Sequence, residues 1–183
     1  MILGTGLAIS TIPYLFPQDS NTGSHNLNIT FPEIALLDIE IEGGNDLNII
    51  LDGSVLEPGE EVGFHEEGGK IWINYTSLVG DKSSNRKISV RANNIPEIYG
   101  LTIGVVSGKY KGNGKGKYGI PTSMVIPCDV EMDILTGIGS AYTSNGVNNG
   151  HQLSYYVDYI GKYEDLKAQN GAKTVTFTYT ISD

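Results

Sequence analysis

The chain has 183 residues, of which 39% are hydrophobic and 18% charged, a balance typical of a single folded domain with a buried core. Its formal net charge of −9 argues against a general nucleic-acid binder, because such proteins present a dominant basic surface. The single cysteine, Cys128, excludes an internal disulfide and a multi-cysteine metal site. No apolar run approaches the roughly 20 residues that a membrane-spanning helix needs.

The first segment, MILGTGLAISTIPYLF (1–16), is apolar and uncharged, and it lacks the positively charged start of a secretory signal peptide. We therefore expect an arm that is buried against the chain's own core or against a neighbouring chain. The polar stretch QDSNTGSHN (18–26) follows it, so we predict an arm and linker over 1–25 and a single domain over 26–183. The arm residues that we expect to make such contacts are Leu7, Ile9, Ile12, Tyr14 and Phe16.

A series of stretches beyond the arm shows the period-two alternation of half-buried strands. In chain order they are NLNITF (26–31), IALLDIEIE (34–42), LNIIL (47–51), IWINY (71–75), KISVRA (87–92), LTIGVV (101–106), SMVIPCDVEMDI (123–134), QLSYYVDYI (152–160) and TVTFTYTISD (174–183). Turn sequences such as EGGN, LDGS and SNGVNNG separate them. Only IGKYEDLKAQN (160–170) could hold a short helix. The pattern predicts an all-β fold, as an antiparallel sandwich or a barrel.

The stretch KYKGNGKGKYG (109–119) concentrates four lysines and several glycines in an acidic chain. Gly114, Gly116 and Gly119 have the spacing G-x-G-x-x-G, which holds a dinucleotide only where a helix follows the loop. The strand-like IPTSMVIP follows instead, so we interpret the stretch as a hairpin. Its lysines form either a solvated loop surface or a contact with an acidic glycan or a neighbouring acidic copy: Lys109, Lys111, Lys115 and Lys117.

No local pattern predicts catalysis or metal binding. The run Asp129, Glu131 and Asp133 begins like a calcium loop, but Ile134 occupies the position that needs glycine, which favours a solvated strand face. Asn74-Tyr75-Thr76 matches a glycosylation sequon inside a predicted strand, where chance alternation explains it better. No nucleophile motif is present, and the histidines lack metal-ligand spacing: His25, His65 and His151. We expect no enzyme, cofactor or metal site.

Four stretches carry a resemblance: FPEIALLDIE (31–40), IWINYTSLV (71–79), GIGSAYTSNGVNNGHQLSYYV (137–157) and VTFTYTISD (175–183). Together they resemble a group of secreted, largely uncharacterised all-β proteins of Gram-negative bacteria. In those proteins a similar IPEVALLDIE strand follows a cleaved signal and a similar TYTISD strand ends the chain. The last strand is also similar to that of chaperone–usher pilins and related fimbrial subunits. The resemblance implies an extracellular or cell-surface location, and it carries over no catalytic residue.

Taken with the strand pattern, the resemblance implies an antiparallel β-sandwich, immunoglobulin-like or pilin-like with Greek-key connections, and an extended N-terminal arm. We predict a structural subunit of an extracellular filament or surface assembly, whose partners are copies of itself. The arm would add a strand to a neighbour's sheet and cover its edge, or alternatively form the first strand of its own domain. A different function is a cell-surface carbohydrate-binding or adhesin domain, which would hold surface glycans against exposed aromatics: Trp72, Tyr110, Tyr118, Tyr142 and Tyr155.

Overall fold

The computed structural model describes residues 23–44, 47–52, 56–67, 69–82, 85–93, 101–127, 129–159, 163–165, 167 and 173–183. The arm residues Leu7, Ile9, Ile12, Tyr14 and Phe16 lie outside these ranges, as does Cys128. The chain divides into two compact units, Met1–Phe31 and Pro32–Asp183. In the first unit the described residues, 23–31, are exposed and form no strand, so the strand predicted over 26–31 is wrong. Alternation alone does not make a strand, because a strand also needs a hydrogen-bonded neighbour.

The second unit is all-β, as the alternation predicts. Its strands are β1 (Ile34–Ile41), β2 (Asn48–Asp52), β3 (Gly63–Glu67), β4 (Ile71–Leu78), β5 (Arg86–Asn93), β6 (Leu101–Lys111), β7 (Lys115–Gly116), β8 (Ile120–Pro121), β9 (Met132–Ile138), β10 (Ala141–Tyr142), β11 (Gly150–Tyr159) and β12 (Thr176–Ser182). The described helical residues form two short 3₁₀ segments, Glu42–Gly44 and Tyr163–Asp165. Across the described ranges, no helix has the length and apolarity to cross a membrane.

The larger sheet has the order β6-β11-β4-β10-β7, and all its pairs are antiparallel. β1 pairs with β4 along its whole length, from Ile34 opposite Leu78 to Ile41 opposite Ile71. Two strands pair with β4 besides β1, since β11 pairs with its first three residues and β10 with Thr76 and Ser77. The chain between β10 and β11 therefore leaves the sheet beside the middle of β4 and forms a loop.

The second sheet has the order β12-β5-β9-β8, also antiparallel, and β2 and β3 form a separate hairpin. The stretch predicted as one strand over 123–134 is a strand only from Met132 onward. Before that, Val125 makes an isolated bridge to Val105 of β6, and Asp129 has a φ of +53°. Pro127 has no N–H to donate to a ladder, so a continuous strand is not formed here.

Both sheets contribute to one hydrophobic core. β4 provides Ile71, Ile73 and Tyr75, and the other strands and one connection provide the rest: Ile88, Val90, Val105, Val125, Ile134, Leu135, Ile138, Ala141, Leu153 and Tyr155. Burying a side chain of this size stabilises the fold by about 1.5–3 kcal/mol. Trp72 and Asn74 point away from this core on the alternate positions of β4, yet both are buried, so β4 is covered on its two faces.

One buried cation, Arg86, ties together the start of β1, the end of β4 and the end of β12. Its side chain is 5% exposed and forms ion pairs with Glu33 at 3.3 Å and Asp183 at 3.0 Å. Its Nη1 also donates to three groups on β1 and β4: the Ile34 carbonyl, the Leu78 carbonyl at 3.2 Å and the Ser77 hydroxyl at 3.3 Å. Glu33 and Asp183 belong to the two motifs of the resemblance that lie farthest apart in the chain, and they meet on one guanidinium.

Candidate functional site

The stretch predicted as a hairpin, 109–119, does not pair with itself, because the end of β6 pairs with β11 and β7 pairs with β10. We keep the name lysine hairpin for residues 109–119, and its glycines allow close backbone packing. β7 pairs with β10, Lys115 opposite Tyr142 and Gly116 opposite Ala141. A Cβ atom on Gly114 would overlap the carbonyl oxygen of Tyr142, and one on Gly116 would overlap that of Ser140. Gly116 also has a φ of +116°, which favours glycine. The short strand β8 follows Gly119, so the spacing G-x-G-x-x-G serves contact between strands.

A chain of hydrogen bonds holds the two ends of the hairpin in place. The Tyr75 hydroxyl accepts from the Gly119 N–H at 2.9 Å and lies 3.3 Å from Nε2 of His151. The other ring nitrogen, Nδ1, lies 2.9 Å from the Gly108 carbonyl, which can only accept. His151 therefore carries its proton on Nδ1, and Nε2 accepts from Tyr75. Burial lowers the pKa of His151, which keeps the ring neutral, and raises the pKa of Tyr75 to about 12.

Two of the aromatic candidates stack on each other inside the hairpin. The rings of Tyr110 and Tyr118 lie 3.6 Å apart between centroids with an interplanar angle of 12°. The Tyr110 hydroxyl accepts from the Gly114 N–H at 2.5 Å and donates to the Thr143 carbonyl at 3.2 Å. These contacts hold the hairpin through its tyrosines and through the backbone of Gly114.

All four lysines of the hairpin are exposed. Lys111 Nζ lies 5.9 Å from the centre of the Trp72 ring, a cation–π contact, and Lys117 Nζ donates to Oδ1 of Asn85 at 3.1 Å. Within the described ranges, no carboxylate forms an ion pair with Lys109, Lys111, Lys115 or Lys117. The hairpin thus presents its positive charge to solvent, as both of its predicted roles require.

The loop between β10 and β11 is organised by Asn74, a residue whose role the sequence did not reveal. Its amide donates to the Asn149 carbonyl at 2.7 Å and accepts from the Gly146 N–H at 2.6 Å. Thr143 and Tyr75 extend the pairing, because the Thr143 hydroxyl accepts from the Tyr75 N–H at 2.9 Å and the Thr143 N–H donates to the Tyr75 carbonyl at 3.0 Å. Asn74 is buried, and both its amide nitrogen and its amide oxygen are hydrogen-bonded, which argues against the sequon being used.

Beside this loop lies an open cleft of about 310 Å³ on the face of β4 that points away from the core. It is lined by residues of β1, β4, β10 and the loop: Leu36, Leu37, Asp38, Asn74, Tyr75, Thr76, Tyr142, Ser144 and Asn145. Leu36, Thr76 and Tyr142 form one row across three strands. Tyr142 is 44% exposed, whereas Trp72 is 1% and Tyr155 is 8% exposed. Of the five aromatic candidates, Tyr142 is the one that is exposed beside a cleft.

Of the acidic run predicted as a strand face, only Asp133 lies in a strand, because β9 begins at Met132 and Asp129 has a φ of +53°. Asp133 forms an ion pair with Lys87 at 3.2 Å, and Glu131 lies 3.5 Å from the Thr180 hydroxyl. In the part of the chain that the structure describes, no three His, Cys, Asp or Glu side chains come together as metal ligands. His25 is exposed.

Directly after the hairpin, residues 120–132 expose an unusual amount of apolar surface, and we call this stretch the apolar segment. It begins with β8, which ends the second sheet, and continues through the connection to the first residue of β9. Five large side chains are exposed along it: Ile120 at 65%, Met124 at 51%, Ile126 at 43%, Val130 at 65% and Met132 at 36%. Single exposed apolar residues are common, whereas contiguous apolar patches are typical of interaction surfaces.

Comparisons with protein-family models, with curated proteins and with solved structures found no match to the chain.

Proposed function

We propose that this protein is a non-enzymatic structural subunit that assembles with copies of itself outside the cell or at its surface. The observation that carries the proposal is the apolar segment, 120–132, at the end of the second sheet. Full burial of one such side chain is worth about 1.5–3 kcal/mol, so covering several of them favours association strongly. The all-β fold and the extracellular or cell-surface location implied by the resemblance support the same function.

The arm is the segment best suited to cover this edge. β8 has two residues and ends its sheet, and exposed sheet edges accept a strand from another chain. The arm is apolar and uncharged, so it brings no charge of its own into a contact with the apolar segment. A contact from the arm of one copy to the edge of the next is head-to-tail, and such contacts build a filament when they do not close.

The charges beside the edge suit the same contact. The lysine hairpin has four lysines and no acid, and the adjoining residues 120–133 have three acids and no lysine or arginine. A neighbouring copy can therefore place its lysines against Asp129, Glu131 or Asp133. Pairs of this kind steer association and set its orientation more than they add affinity, and salt screens them.

We further infer that the two antiparallel sheets form a β-sandwich of the immunoglobulin-like or pilin-like class. The support for this is the shared core, in which Ile73 and Tyr75 of the larger sheet belong to one cluster with Ile88 and Val90 of the second. A rigid sandwich of this kind presents its sheet ends to neighbours, as a repeating subunit requires.

The experiment compares four proteins by negative-stain microscopy and by sedimentation over a range of concentrations. They are the full chain, the chain without residues 1–17, Ile120→Lys and the control Tyr156→Lys, which changes a residue that is also exposed but lies outside the apolar segment. We expect filaments from the full chain and the control, and monomers from the deletion and from Ile120→Lys. Monomers of the full chain at every concentration would refute self-assembly. Filaments of the deletion would remove the arm as connector, and filaments of Ile120→Lys would remove the apolar segment.

A further inference from the structure

The cleft beside Tyr142 lies on another part of the surface and has the composition of a ligand site. Residues of β1 and β4 form its floor, and Tyr142, Ser144 and Asn145 form its wall. The apolar segment is not part of its lining, which is given above. Self-assembly and ligand binding at the cleft are thus separable properties of this chain.

The wall of the cleft is fixed in shape before any ligand arrives. Asn74 bonds both Gly146 and Asn149, and Thr143 bonds Tyr75 through its backbone and its hydroxyl. Ser144 is held at a φ of +69°, a conformation that residues other than glycine adopt rarely. Strained backbone of this kind persists only where the surrounding contacts over-determine it, and it is concentrated at binding sites. A fixed wall spares a ligand the entropy of ordering it.

The polar groups of the cleft suit hydroxyl groups. Oδ1 of Asp38 accepts from the Ile39 N–H at 2.9 Å, which fixes the carboxylate, and Oδ2 has no partner among the described residues. Thr76 and Asn145, which carry a hydroxyl and an amide, belong to the same lining. A carboxylate accepts from two hydroxyls, whereas an amide both donates and accepts.

A sugar ring also has an apolar face made of C–H groups, and the apolar groups of the cleft suit this face. Leu36 and the exposed Tyr142 ring provide a flat apolar surface next to these polar groups. The lining contains a carboxylate and no lysine or arginine, so an anionic ligand would meet repulsion without compensation. We propose that the cleft binds a neutral saccharide, with Tyr142 stacked on the ring and Asp38 accepting from its hydroxyls.

The test is a glycan array of neutral, sialylated and sulfated glycans, followed by calorimetric titration with neutral disaccharides: cellobiose, lactose, maltose and mannobiose. Tyr142→Ala and Asp38→Asn change exposed side chains, and the latter keeps the oxygen that accepts from Ile39. The matched controls are Tyr156→Ala and Asp81→Asn, an exposed tyrosine and an exposed aspartate outside the lining. Thermal unfolding of each variant verifies that it is folded.

We expect the full chain and both controls to bind at least one neutral glycan, and each cleft variant to bind it at least tenfold more weakly. No binding to any neutral glycan on the array overturns the proposal, and so does neutral binding that both cleft variants retain. Binding confined to sialylated or sulfated glycans also overturns it, because the lining of the cleft has no cation to hold an anion. Filament formation by Tyr142→Ala is expected to match the full chain, so this result is independent of the assembly test.

Discussion

Replacing Arg86 is the sharpest test of how the second unit is held together. The guanidinium is almost fully buried, and it bonds groups from β1, β4 and the end of β12. We consider Arg86→Met, which keeps an unbranched apolar stem and removes every donor, and Arg86→Lys, which keeps the charge and removes the planar fork. The matched controls, Glu33→Gln and Asp183→Asn, each remove one carboxylate charge.

The structure assigns different magnitudes to these changes. Glu33 and Asp183 have side chains that are 48% and 60% exposed, so each ion pair is screened by solvent and contributes about 0–1 kcal/mol. The bonds to the Ile34 and Leu78 carbonyls are different, because their loss leaves strand-end oxygens that Arg86 covers from solvent. Hydrogen bonds to a charged donor contribute about 1.5–3 kcal/mol each. The two bonds together make us expect Arg86→Met to lower the free energy of unfolding by about 3–6 kcal/mol, and each carboxylate variant by less than about 1 kcal/mol.

Urea unfolding followed by circular dichroism measures these free energies, with equal slopes required before midpoints are compared. Arg86→Lys separates the two physical causes, because an ammonium cannot donate to both strands in the same geometry. We expect it to be destabilised nearly as much as Arg86→Met. Stability within about 0.5 kcal/mol of the full chain for Arg86→Lys would refute directional bonding as the cause. A carboxylate variant as unstable as Arg86→Met would show that the ion pairs dominate.

Three further changes have expected outcomes. Gly114→Ala places a Cβ against the Tyr142 carbonyl and should cost about 1–3 kcal/mol in urea unfolding. Gly63→Ala is the control, because its Cβ position is open and its φ is not positive; equal costs would exclude close packing as the reason for Gly114. Asn74→Ala leaves the Gly146 N–H and the Asn149 carbonyl unpaired and should cost about 1–3 kcal/mol. The amide of Gly146 should then exchange its hydrogen faster, and an increase of less than threefold in the exchange rate would contradict this. Burial lowers the pKa of His151, so the ring is neutral in the fold and the unfolded chain takes up the proton first as the pH falls through 6.5. The contribution of this residue to the free energy of unfolding is therefore complete above that pH and declines below it. His151→Gln should lose this part of the pH dependence of the free energy of unfolding.

The sequence predicts a strand well where the residues of that strand themselves show the period-two alternation. The alternating runs at 34–42, 71–75 and 87–92 all became strands, because one face of each enters the core and period two is the direct result. The short strands β7, β8 and β10 could not be predicted, since two residues carry no periodicity and each depends on its neighbour for pairing. Pro127 indicates from the sequence that the run 123–134 is broken, whereas nothing in the sequence indicates the φ of +53° at Asp129.

The candidate site was accessible from sequence only in part. The exposed lysines and Tyr142 belong to residue types that the composition singled out, so naming them required no knowledge of pairing. Asn74 and His151 could not be assigned roles, because their partners lie 43 to 76 positions away and are brought together by the sheet order. Charge and aromatic character can be read from a sequence, but the partner of a buried polar group depends on the topology.

The glycines and lysines of the hairpin alternate in function as well as in position. Gly114 and Gly116 cannot accept a side chain without overlap with neighbouring carbonyls, while Lys109, Lys111, Lys115 and Lys117 all extend into solvent. Mutation can therefore rewrite the charge of this projection, from basic to neutral or acidic, while its backbone outline stays the same. The backbone of the hairpin and the charge that it carries are therefore independent of each other. Related chains could change their partners by changing these charged side chains alone.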